Sequence, residues 1–342
     1  MKAGIIGCGA IAKFLHAPEY QANPCIDTIV FYDRNPERAA MLADLFDGNT
    51  VSTVEELLTD PAVNMISDCS SNENHHIFTT KALQHGKHVL CEKPIAVTVE
   101  QANEMIAAQK ASGKKLMVNH NQRFFRAHQQ AKKILERHEL GKVLTFRTTF
   151  GHAGPEHWGT NKTSSTWFFK KDRSGLGVAG DLGVHKLDLL HYLLDDEVEQ
   201  VSAFTDTLDK TDENGQPIGV CDNAVASLKT RKGRLGTASF SWTYYGEKDD
   251  STVIYCEHGA IKIYHHPDYQ IQVLTADQET INYELQEGQT DQQADSGVID
   301  AFIDCIRLDK MPPVTGEEAL TAVKAVFAIL EAAETERVVT LT

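Results

Sequence analysis

The first twelve residues constrain the fold of this chain more than any other segment. A short apolar strand, Ala3 to Ile6, leads into Gly7-x-Gly9-x-x-Ala12, and the residues that follow favour a helix. A strand, a glycine turn and a helix in this order form the fingerprint of a dinucleotide-binding fold. Gly7 permits the tight turn, Gly9 lets the backbone approach a pyrophosphate, and Ala12 lets the helix pack closely on the strand.

An acidic residue follows the second predicted strand. The β-rich run from Thr28 to Tyr32 ends at Asp33, about where the ribose-binding acid of the fingerprint falls. A carboxylate there accepts hydrogen bonds from a ribose diol and repels a 2′-phosphate, which favours NAD. Arg34 and Arg38 leave NADP open, because each offers a phosphate a positive partner. The alternative interpretation is that Asp33 only caps the turn before Pro36.

The pattern of strands and helices changes near Asn119. Before it, short apolar strands alternate with helical segments, which predicts a doubly wound, mostly parallel sheet. After it, seven strand-like runs joined mostly by short turns predict a large, mostly antiparallel open sheet. We therefore expect an α/β chain with a Rossmann dinucleotide-binding domain over residues 1–119 and an α+β substrate-binding and oligomerisation domain over 120–342. The polar segment from Asp206 to Gly219 is expected to be an exposed hairpin loop.

Composition limits the partners and the compartment. With 342 residues, 42% of them hydrophobic, the chain is long enough for two globular domains. A net charge of −15 argues against nucleic acid and an anionic membrane surface as partners, so we expect a small-molecule substrate. We expect no signal peptide and no membrane span, because no apolar run is long enough. Seven scattered cysteines without a C-x-x-C pair predict reduced thiols and a cytoplasmic protein.

Lys93 is the first candidate for chemistry. It follows the predicted strand His88 to Cys91, at the edge where open α/β sheets bind ligands, and Pro94 fixes the backbone beside it. Next to Glu92 and near a nicotinamide, a lysine can hydrogen-bond a substrate oxygen and release its proton more readily than a solvated lysine. The alternative is a surface lysine at a strand end.

The second candidate is a polar stripe on a predicted buried helix. If the helix begins at about Asp181, then Asp181, His185 and Asp188 lie on one face. A carboxylate that orients a histidine allows the other ring nitrogen to exchange a proton with a substrate hydroxyl. One alternative is a helix-capping aspartate beside a core histidine. Another is a metal site that gathers the histidines at positions 152, 157, 185 and 191, but their spacing does not favour it, and we expect no metal.

Four motifs in order resemble the Gfo/Idh/MocA family of NAD(P)-dependent oxidoreductases, which includes inositol dehydrogenases and glucose-fructose oxidoreductase. They are Gly7-x-Gly9-x-x-Ala12, Asn72-x-x-His75 followed by Gly86-Lys-His-Val, Glu92-Lys93-Pro94, and Asp181-x-Gly183-x-His185. The resemblance extends over essentially the whole chain. It implies hydride transfer between NAD, or NADP, and a secondary alcohol of a sugar, inositol or related polyol. It also implies a C-terminal helix, at about 315–336, that packs back on the first domain.

The resemblance and the motifs together assign roles to residues. Lys93 and His185 are the expected proton-transfer pair, and Asp181 helps to bind and orient the reacting carbinol. The residues expected to bind the cofactor are Gly7, Gly9, Ala10, Ile11, Asp33, Arg34, Arg38, Ser70, Ser71, Asn72, His75, Glu92, Lys93 and Asn119. Those expected near the substrate are Arg123, His152, His157 and Trp167, in segments where polar groups beside aromatic faces suit a sugar.

Two departures from the family pattern remove no reacting group. Ser71 stands where relatives often have proline, and the run Ser174-Gly-Leu-Gly177 is less glycine-rich than the usual run before the aspartate. An uncovered face of the second sheet predicts a homodimer or homotetramer.

Two other functions stay open. A redox-assisted glycosidase of the same family would use tightly held NAD for a transient oxidation and release a free sugar. A nucleotide-sensing regulator, like the galactose repressor relative of this family, would lack reacting groups, whereas Lys93, Asp181 and His185 are all present.

Overall fold

A parallel sheet of six strands is the frame of the first structural unit. The computed structural model describes residues 1–159, 162–285 and 296–341, and this unit takes 1–120 and 296–320 of them. Its strands are β1 (Lys2–Ile6), β2 (Thr28–Tyr32), β3 (Asn49–Thr50), β4 (Val63–Asp68), β5 (His88–Cys91) and β6 (Leu116–Val118). They lie in the order β3-β2-β1-β4-β5-β6 with every pair parallel, which confirms the predicted doubly wound sheet. The order reverses between β1 and β4, where open α/β sheets bind ligands.

Helices alternate with these strands, as the sequence predicts. They are a π-helical turn (Ala12–His16) that runs into α1 (Ala17–Ala22), then α2 (Pro36–Leu45), α3 (Val54–Thr59), α4 (Asn72–Gln84) and α5 (Val99–Ser112). The side chains of Thr53 and Thr98 accept hydrogen bonds from the backbone N–H of Glu56 and Gln101, which begins α3 and α5 as in a capping box.

A later segment completes the first unit. It contains α9 (Val298–Arg307) and the start of α10 (Gly316–Thr335). The buried carboxylate of Glu19, on α1, accepts hydrogen bonds from Ser296 N at 2.6 Å and Ile299 N at 3.2 Å. These bonds satisfy N–H groups at the beginning of α9.

A nine-stranded, mostly antiparallel sheet is the frame of the second unit, which takes residues 121–285 and 321–341. Its strands are β7 (Val143–Gly151), β8 (Val198–Asp206), β9 (Asn223–Thr230), β10 (Leu235–Ser241), β11 (Thr252–Cys256), β12 (Gly259–Ile263), β13 (Ile271–Thr275), β14 (Thr280–Tyr283) and β15 (Val339–Thr340). They lie in the order β14-β13-β12-β11-β7-β10-β9-β8-β15. Within the described residues the pairs are antiparallel except β7 with β10, so the predicted sheet is confirmed.

The two faces of this sheet differ in their cover. The helices of the unit are α6 (Arg126–Glu136), α7 (Lys171–Ser174) and α8 (Val184–Leu194), besides most of α10. On the inner face Phe146, Ala226 and Phe240 are buried, and α8 packs against β7. On the outer face Phe204 and Val225 lie opposite each other on β8 and β9 and are 81% and 55% exposed. In the part of the chain that the structure describes, no helix is both long and apolar enough to cross a lipid bilayer.

Candidate functional site

The glycine turn lies between β1 and the first helix, where the strand order reverses. Gly7 has a φ of +91°, which favours glycine, and a Cβ there would lie 2.5 Å from the carbonyl oxygen of Cys69. A Cβ on Gly9 would meet no atom within 4 Å, so this part of the turn faces open space. The half-buried residues Ala10 and Ile11 then begin the helix. This combination of a crowded first glycine and an open second one fits a pyrophosphate against the backbone.

Asp33 is held at the end of β2 by backbone amides. Its Oδ2 accepts a hydrogen bond from Cys8 N and its Oδ1 accepts one from Asn35 N, both at 2.8 Å. These two bonds fix the carboxylate next to the glycine turn. Arg34 is exposed and Arg38 is half-buried. Burial, together with the negative charge of Asp33, raises the pKa of the Cys8 thiol to about 12, so this thiol is neutral and unreactive.

A buried hydrogen-bonded network surrounds the carboxylate of Glu92. Its Oε1 accepts a hydrogen bond from Asn119 Nδ2 at 2.6 Å and lies 2.8 Å from His16 Nε2. The hydroxyl of Ser67 lies 2.9 Å from His16 Nδ1 and 2.9 Å from the hydroxyl of Tyr20. The network therefore joins the first helix to the ends of three neighbouring parallel strands.

This network keeps Glu92 ionised beside Lys93. Burial by itself would raise the pKa of Glu92, but the hydrogen bond and electrostatic attraction of His16, with the hydrogen bond from Asn119, hold it below its ordinary value. The Oε2 of Glu92 accepts a hydrogen bond from Lys93 N at 3.3 Å, and the lysine is half-buried. Glu92 and Asn119 are predicted cofactor contacts, whereas His16 was not among the predicted site residues. A histidine and a tyrosine four residues apart, which places them on one face of the first helix, were the available signal.

His75 connects the turn after β4 to the connection after β5. Its Nδ1 lies 2.8 Å from the carbonyl oxygen of Pro94 and its Nε2 lies 3.2 Å from that of Ser70. The peptide bond that precedes Pro94 is cis. Ser71 is the N-cap of α4 and Asn72 is its first residue. The structure thus brings these predicted cofactor residues to one edge of the parallel sheet, while their contact with a cofactor stays a prediction.

In the second unit, Asp181 lies in a π-helical turn (Ala179–Gly183) that leads into α8. Its Oδ2 accepts a hydrogen bond from the indole Nε1 of Trp242 at 3.0 Å, and both side chains are buried. The sequence predicted a regular helix from Asp181, and the wider turn is a correction. The turn packs closely against the sheet at Gly183, because a Cβ there would lie 2.8 Å from the ring of Phe240. Trp242 was not among the predicted site residues.

His185 and Asp188 follow in α8 and have different surroundings. His185 is half-buried, and its ring centroid lies 6.1 Å from that of Phe150. Asp188 is buried and accepts hydrogen bonds from Nε and Nη2 of Arg123 at 2.8 and 2.7 Å. Arg123, which was expected near the substrate, is thus buried in a bidentate ion pair, and its substrate contact stays a prediction.

The other predicted substrate residues lie near an aromatic cluster. Ring centroids of His152 and Trp158 are 6.3 Å apart, those of Trp158 and Phe168 are 5.2 Å apart, and those of Trp167 and Phe168 are 3.9 Å apart. The structure therefore brings His152 and Trp167 into one cluster. The side chain of His157 is 61% exposed. Within the described residues, no three histidine, cysteine or acidic side chains are grouped as a metal site requires.

A buried ion pair joins two loops of the second unit. Lys210 forms a salt bridge with Glu156 and donates a hydrogen bond to the carbonyl oxygen of Ala153 at 2.6 Å. The fully buried carboxylate of Asp222 accepts hydrogen bonds from three consecutive backbone N–H groups, at residues 208, 209 and 210, at 2.8–2.9 Å. The segment after β8 connects β8 to β9 as predicted. The expectation that it is exposed is wrong at Lys210 and Ile218, which are buried against the rest of the unit.

Two family profiles match the chain. Residues 1–120 match an oxidoreductase family with an NAD-binding Rossmann fold, and residues 128–262 match a GFO/IDH/MocA C-terminal domain. The 1,5-anhydro-D-fructose reductase of Ensifer adhaerens is 29% identical over 231 residues, 67% of this chain and 66% of that protein. The levoglucosan dehydrogenase of Pseudarthrobacter phenanthrenivorans is 31% identical over 204 residues, 57% of this chain and 51% of that protein. The chain thus spans between half and two thirds of the length of these curated relatives.

Solved structures show the same fold over nearly the full length. A levoglucosan dehydrogenase in complex with NADH and levoglucosan has a TM-score of 0.89 at 25% identity, with 99% of each chain covered. The same enzyme in complex with NADH and L-sorbose has a TM-score of 0.88 at 25% identity, with 100% of this chain and 99% of that chain covered.

Proposed function

The chain belongs to the GFO/IDH/MocA family of oxidoreductases, and on that premise we propose that it transfers hydride between NAD and a secondary alcohol of a sugar, an inositol or a related polyol. The observation that carries the proposal is the glycine turn, where Gly7 is crowded against the backbone and Gly9 faces open space. The backbone from Gly7 to Ile11 would hold the pyrophosphate, and Asp33 would hold the ribose. When bound, the nicotinamide supplies the hydride acceptor or donor.

The chain's own side chains would handle the carbinol proton. Oxidation of a carbinol releases the hydroxyl proton, and a positioned base must accept it. We assign this work to Lys93 and His185, as the family resemblance implies. The ionised carboxylate of Glu92 accepts a hydrogen bond from the backbone N–H of Lys93. The indole N–H of Trp242 donates a hydrogen bond to the carboxylate of Asp181 and so fixes its orientation. Each of these contacts lies within one unit of the structure.

NAD is the proposed cofactor in preference to NADP. The carboxylate of Asp33 is fixed by two backbone amides, so a 2′-phosphate near it would meet a negative charge that cannot turn away without breaking both bonds. Titration of the protein with both cofactors tests this point. Tighter binding of NADP would contradict it and would mean that Arg34 or Arg38 binds the 2′-phosphate.

Steady-state assays over a panel of sugars, inositols and keto-sugars test the reaction itself. We expect the absorbance of reduced nicotinamide to appear with alcohols and to disappear with ketones. No turnover in either direction would contradict the proposal. Release of a free sugar without net cofactor reduction would identify a redox-assisted glycosidase instead, and a cofactor-dependent protein partner without turnover would identify a regulator.

We also propose that the chain forms a homodimer or homotetramer through the outer face of the nine-stranded sheet. Phe204 and Val225 lie side by side there, and Leu235 and Tyr255 are 55% and 41% exposed on the same sheet. An uncovered apolar sheet face is stabilised when a second copy covers it. Light scattering should give a mass of two or four chains, and Phe204→Asp should lower it. A wild-type protein that is monomeric at micromolar concentration would contradict the proposal.

Finally, we propose that the protein works in the cytoplasm. All seven cysteines are unpaired thiols, and five of them are buried. Unpaired thiols are typical of a reducing compartment. Cell fractionation with an antibody to the chain checks this, and recovery in a secreted fraction would contradict it.

A further inference from the structure

We propose that the second unit contains a subsite for a second ring, so that the substrate is a glycoside rather than a free monosaccharide. The proposal rests on the proposed function, because it takes His185 as the place where the reacting sugar ring binds. The occupant of the subsite is the ring attached through the glycosidic oxygen, either a second pyranose or an aryl group. Both present a flat apolar face to an aromatic side chain.

The proposal starts from an uninterrupted series of rings that begins at His185. The ring centroid of Phe150 lies 6.1 Å from that of His185 and 6.0 Å from that of His152. His152 is followed by Trp158 at 6.3 Å, and Trp158 by Phe168 at 5.2 Å. A pyranose ring is about as large as one aromatic side chain, so the series is longer than one sugar requires.

The outer part of the series is open to solvent. Trp158 is 43% exposed, and Phe168 and the stacked Trp167 are half-buried. The neighbouring Trp242 and Phe169 are buried and support the cluster from the core side. A cluster of large aromatic side chains with one face left open is typical of a ligand-binding surface rather than of a core.

The exposed rings are also held in place before any ligand binds. Phe168 packs edge-on against Trp242 with centroids 6.4 Å apart, and Trp242 is fixed by its hydrogen bond to Asp181. The segment that carries Trp158 is anchored by the salt bridge between Glu156 and the buried Lys210. A platform that is already ordered loses little conformational entropy on binding, so its apolar area contributes to affinity.

The subsite suits a neutral ring with hydroxyl groups at its edge. Trp158 and Phe168 offer ring faces and edges to C–H patches, and the imidazole of His152 lies between them and Phe150. Stacking of a sugar on an aromatic face with a polar group beside it is the usual pattern of carbohydrate sites. We infer that the second ring stacks on Trp158.

The test compares one-ring and two-ring ligands. Methyl glucoside, phenyl glucoside and a glucose disaccharide, each in both anomers, are assayed with wild type, Trp158→Ala and Trp158→Phe. In the wild type, KM for the phenyl glucoside and the disaccharide should be about tenfold lower than for the methyl glucoside. Trp158→Ala should raise KM for the two-ring ligands about tenfold and abolish that preference, while Trp158→Phe should keep most of it. Leu144→Ala, at the other end of β7 and half-exposed, is the matched control and should change neither KM.

Each outcome separates this proposal from the proposed function. Equal KM values for one-ring and two-ring ligands in a wild type that turns both over would overturn the subsite and leave the oxidoreductase in place. An equal rise of all KM values in Trp158→Ala would also overturn it, because Trp158 would then contact the reacting ring. If nothing is turned over, quenching of tryptophan fluorescence by phenyl glucoside, lost in a folded Trp158→Ala, would support the subsite while the redox function fails. Absence of both turnover and quenching would overturn both.

Discussion

Replacement of Asp222 by asparagine should loosen the connection between β8 and β9 while both sheets stay folded. The buried carboxylate of Asp222 accepts hydrogen bonds from the N–H groups of Leu208, Asp209 and Lys210, and from Asn223 Nδ2 at 2.9 Å. An asparagine has one acceptor oxygen, and its NH₂ group would face an N–H donor. At least two of the bonds are therefore lost, and the donors cannot easily reach water.

The size of the effect follows from these bonds. A hydrogen bond to a charged group contributes about 1.5 kcal/mol at the lower end, so two lost bonds cost about 3 kcal/mol. Burial by itself would raise the pKa of Asp222, but the hydrogen bonds from the N–H groups at 210, 208 and 209 lower it below its ordinary value. The folded pKa is thus lower than the unfolded one, so the stabilisation is complete above about pH 4 and is lost as the pH falls through the folded pKa. The difference between wild type and variant should shrink in acid.

Hydrogen exchange of the amides at 208–210 measures this directly. A cost of about 3 kcal/mol accelerates exchange about a hundredfold, whereas amides in β11 and β12 should keep their protection. Asp212→Asn is the matched control, because Asp212 accepts from Asn214 N and Gln216 N at 2.8 and 3.0 Å through Oδ1 alone and is only half-buried, so the asparagine oxygen or water can keep these donors satisfied. Equal acceleration in both variants, or none in Asp222→Asn, would show that the buried carboxylate does not hold the loop.

Four further substitutions probe the proposed chemistry. Gly7→Ala should weaken NAD binding about tenfold or more, because φ at Gly7 is +91° and the new Cβ would lie 2.5 Å from a backbone carbonyl oxygen. A cofactor titration measures this, and an unchanged affinity would contradict it. Lys93→Ala and His185→Ala should each lower kcat about a hundredfold with little change in NAD affinity, and near wild-type kcat in a folded variant would show that the proton takes another route. Trp242→Phe should lower kcat/KM about tenfold, because the hydrogen bond that orients Asp181 is lost. The thermal transition of the variant controls for folding. An unchanged kcat/KM would remove Asp181 from the reaction.

The fold was predictable because its signals are local. The predicted bounds of β2 and β5 are the observed ones, since each is a short apolar or β-branched run that ends at polar or turn-forming residues. β14 (Thr280–Tyr283) escaped prediction because it is an edge strand of four residues with mostly exposed side chains, so its alternation of polar and apolar residues is too short to mark a strand.

The partners of the site residues were not predictable in the same way. His16 and Glu92 are 76 residues apart in sequence, and Asp181 and Trp242 are 61 apart. Such pairs form because the topology brings the ends of particular strands together, and no local pattern contains that information. The burial of Lys210 was not predictable for the same reason. A polar, glycine-containing segment is typical of an exposed loop, and its local sequence does not show that the distant carboxylate of Asp222 will bind its backbone.

The hydrogen bonds from Ser296 and Ile299 to Glu19 have a consequence for synthesis on the ribosome. Glu19 emerges among the first residues, whereas its donors follow 277 and 280 positions later. During translation the first unit therefore stays incomplete, and the side of α1 that carries Glu19 stays uncovered, until every strand of the nine-stranded sheet except the last has been synthesised. Eight of the nine strands of the second unit's sheet can therefore pair before the first unit is complete, which departs from the usual order of folding from N terminus to C terminus. A chain that stalls at residue 120 would carry every motif of the fingerprint and still lack the segment that satisfies its buried carboxylate.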